Sequence, residues 1–127
     1  MPFLLTGCGA PTTIASDTYA GVPDGVAETV NLFSAEPVAV WVEGNILAVV
    51  TVGSGSCPPV PTAISATDAA NIAITFVRSP VSPCSADLGP TTHEFATPEG
   101  IDTSGEVTVN VHFDFETDLD YELTVQE

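Results

Sequence analysis

The chain has 127 residues, of which 17 are Asp or Glu and a single one, Arg78, is Lys or Arg, so its formal net charge at pH 7 is −16. Nucleic-acid-binding proteins need Lys and Arg to neutralise phosphates, and P-loop or Schiff-base proteins need a lysine, so these classes are excluded. Anionic lipid headgroups would repel the chain. The length predicts one domain. The sequence has no run of 18 apolar residues, so no membrane-spanning helix is expected.

The N-terminal segment, residues 1–8, ends in Leu5-Thr6-Gly7-Cys8, which resembles a bacterial lipobox. The resemblance implies that the Cys8 thiol carries a lipid and holds the protein at the outer face of the cell membrane. A secretory segment also needs a basic start and a longer apolar core, so we expect the true start of the protein to lie upstream. The alternative is a chance match, in which Cys8 is an ordinary thiol.

Residues 9–24 are small, polar and rich in Pro and Gly, a composition typical of a flexible tether. Residues 25–127 are expected to form the folded domain. At its start, Asp24 could cap a short helix over residues 25–33. The domain is otherwise expected to consist of strands, because its apolar runs are short, β-branched and separated by Gly, Pro, Asn and Asp.

About seven strands are expected, and their spacing predicts an all-β, Ig-like antiparallel sandwich. The second strand is nearly all apolar, so it should be central and buried on both faces, and Trp41 should pack in the core. The sixth strand alternates apolar and polar residues, so it should bury one face and pair with the fifth as a hairpin. The predicted strands are 38–43, 46–52, 63–67, 72–78, 91–97, 106–115 and 119–125.

Three cysteines are present, which leaves one without a partner if two form a disulfide. In an oxidising compartment the natural pair is Cys57 with Cys84, and Cys8 is then left for lipidation. The alternative is a pair of buried free thiols in a reducing compartment. The chain has no CxxC motif, so a redox motif or a zinc site built from cysteines is not indicated.

The C-terminal acidic run is the first candidate for a metal site, with calcium as the ion. Calcium takes six to eight oxygen ligands, whereas same-face residues on a strand lie about 7 Å apart, so a turn at residues 116–120 would have to gather the carboxylates. The alternative is a charged edge that prevents strand aggregation. The candidate residues of the run are Asp114, Glu116, Asp118, Asp120 and Glu122.

His112 adds a nitrogen donor beside this run. It shares a strand face with Asp114, and with Glu94 or His93 from the expected neighbouring strand it could bind zinc or copper. If Phe95 faces the core, however, His93 does too and would lie away from His112.

Two proline-rich loops around the cysteines, residues 53–61 and 82–90, are the candidate binding surface for an unknown envelope protein or glycan. Arg78, the one Lys or Arg residue of the chain, should form an ion pair with a nearby carboxylate. The alternative is that Arg78 binds the carboxylate of a ligand. The residues singled out on this surface are Gly53, Ser54, Gly55, Ser56, Pro58, Pro59 and Arg78.

Beside the lipobox, a family resemblance rests on Trp41 and on the segments 48–51, 53–59, 84–90 and 98–101. Over residues 38–112 the chain resembles small uncharacterised lipoproteins of high-GC actinobacteria, which implies an envelope location and the Cys57–Cys84 bridge but transfers no catalytic residue. The sequence therefore predicts a lipid-anchored, non-enzymatic binding or structural module without a cofactor. The alternatives are a calcium- or metal-binding module and, third, a carboxylate-based hydrolase.

Overall fold

The structure is a computed structural model that describes residues 12–23, 36–42, 45–115 and 118–126. The regular elements of these residues are all strands. The described part of the chain contains no helix that is long and apolar enough to cross a membrane. The helix predicted for 25–33 lies outside the described residues, as does Cys8. The strands are β1 (Asp17–Ala20), β2 (Val38–Val42), β3 (Ile46–Gly53), β4 (Val60–Asp68), β5 (Asn71–Val77), β6 (Gly89–Ala96), β7 (Thr108–Asp114) and β8 (Leu119–Thr124).

The strands form two four-stranded sheets, with the orders β1-β6-β3-β2 and β4-β5-β7-β8. Neighbouring strands are antiparallel except β5 and β7, which are parallel. The predicted all-β sandwich with one disulfide is therefore confirmed. It has eight described strands rather than about seven, because residues 17–20 add one to the first sheet.

These residues had been predicted to belong to the tether at 9–24, and the structure corrects that prediction. Asp17 to Ala20 lie in register against residues 94 to 91 of β6, and the Tyr19 hydroxyl donates to Glu94 Oε2 over 3.0 Å. Composition alone misses this strand because its side chains are mostly exposed. Its place is set by the backbone groups of β6, which would otherwise form an open sheet edge.

The hairpin predicted from residues 91–97 and 106–115 is also wrong. β6 pairs with β1 and β3 in the first sheet, whereas β7 pairs with β5 and β8 in the second. Residues 97–107 therefore cross from one sheet to the other. The two strands bury apolar side chains such as Phe95 and Val111 in the same core, which they can do as members of facing layers without sharing a hydrogen bond.

The core lies between the sheets and follows the predicted alternation. On β7, Val109, Val111 and Phe113 are buried, while the residues between them are partly exposed. Residues 47–50 of β3 are all inaccessible to solvent, as expected for a central strand buried on both faces. Trp41 is partly buried and packs against this core.

Candidate functional site: a cleft at the disulfide end of the sandwich

Two loops cross between the sheets at the same end of the sandwich. Residues 54–59 join β3 to β4, and residues 78–88 join β5 to β6. The predicted disulfide joins them, with the Cα atoms of Cys57 and Cys84 5.5 Å apart. A covalent link at this point holds the two crossings side by side.

Serine hydrogen bonds strengthen the link between these loops. The Ser54 and Ser85 hydroxyls are 2.8 Å apart, and the Ser85 amide donates to Ser56 Oγ over 2.8 Å. The Ser85 hydroxyl and the Gly55 amide both donate to the Asp87 carboxylate, and these bonds lower the pKa of Asp87 below its usual value. The loops are thus fixed relative to each other by side-chain contacts as well as by the disulfide.

A cleft of about 580 Å³ opens beneath the loops, between the ends of the two sheets. Thr51 of β3 and Phe113 of β7 line it from opposite sheets, and the disulfide, Val81 and Leu119 line it nearer the surface. Of the predicted binding surface, Gly53, Ser54, Pro59 and Arg78 line this cleft, whereas Gly55, Ser56 and Pro58 do not.

Aromatic side chains supply much of the cleft wall, and none of them belongs to the predicted binding surface. Phe113 has its ring centroid 5.4 Å from that of Phe115 and 5.9 Å from that of Tyr121, and all three line the cleft. Phe115 is the last residue of the strand predicted at 106–115, whose apolar face was expected to be buried. The predicted strand 106–115 includes Phe115, whereas β7 ends at Asp114, so the sequence carried no local signal that Phe115 lines a cleft.

The described lining of the cleft is mostly uncharged. No Asp or Glu occurs among the lining residues that the structure describes, and Arg78 is the one charged residue among them. The Arg78 guanidinium carbon lies 5.0 Å from the centroid of the Phe115 ring, within the range of a cation–π contact.

A buried histidine lies one layer below the cleft. His93 is fully inaccessible; its Nε2 is 3.1 Å from Thr51 Oγ1, and its ring meets Phe76 edge-on at 5.0 Å. Its Nδ1 atom has no hydrogen-bond partner. Because burial disfavours the charged imidazolium, the pKa of His93 falls to about 4, and the ring is neutral at pH 7.

The inward orientation expected for His93 is therefore confirmed, but its suggested role beside His112 is wrong. His93 and Glu94 lie on β6, in the opposite sheet from His112, and Glu94 contacts Tyr19 of β1 instead. The mistake follows from the wrong hairpin, which had placed β6 next to β7.

The β7–β8 hairpin gathers three of the predicted metal ligands. Donor atoms of His112, Asp114 and Asp118 all lie within 4.8 Å of one another. His112 Nδ1 is 2.7 Å from Asp120 Oδ1, and this hydrogen bond is the main reason that the pKa of His112 is raised. Glu116 lies outside the described residues, and Glu122 lies opposite Asn110, further along the hairpin.

Comparison with known protein families, with curated proteins and with solved structures finds no match to this chain. The functional conclusion therefore rests on the geometry of the cleft and of the hairpin cluster.

Proposed function

We propose that the protein is a non-enzymatic, extracytoplasmic binding module that holds a small apolar molecule in the cleft beneath its disulfide-linked loops. In this proposal the lipid on Cys8 anchors it at the outer face of the cell membrane. The observation that carries the proposal is the cleft itself, whose volume of about 580 Å³ falls within the range of small-molecule sites.

The composition and rigidity of the cleft support this function. Its lining combines aliphatic and aromatic side chains with a few polar groups such as Thr51 and Ser54, which is the usual make-up of a ligand pocket. The disulfide and the Ser54–Ser85 contact hold the covering loops in place before any ligand arrives. A preformed site avoids much of the ordering cost of binding.

The disulfide also supports the location. Disulfides persist in oxidising compartments and are rare in reducing ones, so the Cys57–Cys84 bridge fits an exported protein. Lipidation at Cys8 would explain why the third cysteine has no need of a disulfide partner.

Fluorescence titration with N-phenyl-1-naphthylamine, a neutral apolar dye, tests the cleft. Val81 and Leu88 give a matched pair of variants, because both are exposed apolar residues of the same loop but Val81 lines the cleft and Leu88 does not. We expect saturable binding at one site. Val81→Asp should weaken it about tenfold because a carboxylate would stand in the apolar lining, and Leu88→Asp should leave it unchanged.

Equal effects of the two substitutions would show that the dye binds elsewhere. A lack of saturable binding in the unmodified protein would remove the proposed cleft function altogether.

A second function, metal binding, is favoured by the cluster on the β7–β8 hairpin. We propose zinc rather than calcium for it, because one of its three donor groups is the His112 imidazole, a ligand that suits zinc and not calcium. A metal-binding histidine commonly donates its other ring N–H to a carboxylate, and Asp120 is placed for that role.

The thermal midpoint at fixed ionic strength tests metal binding. Micromolar zinc should raise it, since a ligand that binds only the folded state stabilises that state, and calcium at the same concentration should not. Asp118→Asn should abolish the rise, whereas Glu99→Gln, which removes one charge outside the cluster, should keep it. A zinc response unchanged by Asp118→Asn would rule out this site.

A further inference from the structure

A buried hydroxyl at the inner end of the cleft indicates what kind of molecule the cleft selects. Of the buried polar side chains that the structure describes, only that of Thr51 lines the cleft. Thr51 faces the same side of β3 as Leu47 and Val49, which belong to the core, because residues two apart on a strand share a face. Thr51 therefore lies where the core meets the cleft, and it is only 3% exposed.

His93 fixes the direction of this hydroxyl. Thr51 Oγ1 is 3.1 Å from His93 Nε2, and the Nδ1 atom of the same ring has no hydrogen-bond partner. A neutral imidazole carries a proton on one nitrogen and a lone pair on the other. Buried N–H groups without an acceptor are rarer in proteins than under-satisfied acceptors, so we place the proton on Nε2 and the lone pair on Nδ1. The Nε2–H group then donates to Thr51 Oγ1.

The Thr51 hydroxyl keeps its own proton for another acceptor. A hydroxyl has one O–H donor besides its acceptor lone pairs, and the bond from His93 uses only a lone pair. Within the described residues, this bond is the only side-chain hydrogen bond of Thr51. The Ser54 and Ser79 hydroxyls of the lining, by contrast, are bonded within the loops. Thr51 is therefore the group best placed to donate to a molecule in the cleft.

We propose, building on the function proposed above, that the cleft selects an apolar molecule with an uncharged oxygen acceptor such as a carbonyl, which accepts a hydrogen bond from the Thr51 hydroxyl. His93 is the positioning residue, because its Nε2–H group holds the hydroxyl oxygen and leaves the proton directed away from the ring. A hydroxyl that itself accepts a hydrogen bond is polarised and donates more strongly. The acceptor is uncharged, because the net charge of −16 opposes the approach of an anion.

Two naphthalenes of nearly the same size test the selection. 2-Acetylnaphthalene carries a carbonyl, and 2-ethylnaphthalene has a methylene group in its place. Each compound is titrated against bound N-phenyl-1-naphthylamine, and the ratio of the two dissociation constants gives the preference of the cleft for the carbonyl. Because a partial loss of folded protein would affect both compounds equally, this ratio reports only the contact with the carbonyl.

Thr51→Val keeps the shape of the side chain and removes the hydroxyl, so it should lower the preference for the carbonyl about fivefold, the scale of one neutral hydrogen bond. Thr51→Ser keeps the hydroxyl and should retain the preference. Tyr121→Phe is the matched control, because it also removes one hydroxyl from the lining and should leave the ratio unchanged. His93→Leu should lower the preference less than Thr51→Val does, since the hydroxyl remains but loses its orientation.

The carbonyl stretching band of bound 2-acetylnaphthalene gives a second measurement, which needs no variant. We expect this band at a lower frequency than in a hydrocarbon solvent, because the carbonyl accepts a hydrogen bond. An unshifted band, or an unchanged ratio in Thr51→Val, would overturn the selection, and an unchanged ratio in His93→Leu would overturn the role of His93. The proposed binding function fails separately, if N-phenyl-1-naphthylamine does not bind or is insensitive to Val81→Asp.

Discussion

Burial in the folded protein changes the acid–base chemistry of His93. His93 is a fully buried imidazole with one hydrogen bond, to Thr51, and one nitrogen without a partner. In the unfolded chain the pKa of a histidine is about 6.5, and in the folded protein that of His93 is about 4. Between these two values the unfolded state binds more protons than the folded state.

The free energy of unfolding should therefore fall as the pH drops from 6.5 to 4, by about 3 kcal/mol from this group alone. Urea unfolding at pH 7 and pH 4 measures it, with His93→Leu as the variant that removes the ionisation. The loss between the two pH values should be about 3 kcal/mol smaller in His93→Leu than in the unmodified protein.

His112→Gln is the matched control, because the pKa of His112 is shifted in the opposite direction, mainly through its hydrogen bond with Asp120. If His93→Leu and the unmodified protein lost the same free energy, His93 would not resist protonation in the folded state.

The orientation of a side chain on a strand could be predicted from the sequence, because residues two apart point to the same face. Contacts between residues that are distant in the chain could not be predicted. The inward position of His93 followed from that of Phe95, two residues along the same strand. The contacts of Arg78 with Phe115 and of His93 with Thr51 join residues far apart in the chain, and no local pattern encodes them.

Among the elements, β1 is a strand that the amino-acid composition does not predict. Its sequence, Asp-Thr-Tyr-Ala, has no apolar alternation, and its side chains are mostly exposed. It is held by backbone bonds to β6, with further bonds at its two ends from the Ser16 amide to Glu94 and from the Gly21 amide to Pro90. Each such bond contributes about 1 kcal/mol.

Deletion of residues 1–21 should therefore lower the free energy of unfolding by about 3 kcal/mol, measured by urea unfolding, because it removes β1 and leaves the β6 edge open. Deletion of residues 1–11 removes none of these bonds and should have little effect. Equal stability of both truncated proteins would show that residues 12–21 behave as the tether that their composition suggests.

At the scale of the whole molecule, the charge is the dominant property. With 17 acidic residues against one Arg or Lys, like charges repel throughout the folded surface, and repulsion of this kind destabilises a compact state. Raising the NaCl concentration from 10 to 150 mM shortens the screening length from about 30 to 8 Å.

The thermal midpoint should consequently rise over this range of salt. An equimolar series with a neutral osmolyte controls for effects that do not depend on charge. A midpoint that fell with salt would mean that attractive pairs, such as His112 with Asp120, outweigh the repulsion.

The class of fold was predictable from the sequence, but its strand pairing was not. Strand positions follow from the short β-branched runs, and the β2–β3 and β4–β5 hairpins follow from tight turns between them. The neighbouring strands of β6 and β7 depend on which sheet each strand joins. Both strands alternate apolar and polar residues, and this pattern is compatible with either sheet. The loops that form the cleft were recognised through their cysteines, whereas the aromatic wall required the tertiary structure.

The parallel pairing of β5 with β7 has a consequence for how fast the molecule can assemble. These strands cannot meet as a hairpin, because residues 78–107 must first leave the second sheet, supply β6 to the first and return. Pairings between distant parts of a chain are slow to form, since the entropy of closing the intervening segment is lost before the contacts repay it. The Cys57–Cys84 bridge does not shorten that segment, because it joins the end of β3 to the start of β6. A disulfide formed early would therefore speed the pairing of β3 with β6 and leave the closure of β5 on β7 as the slower step.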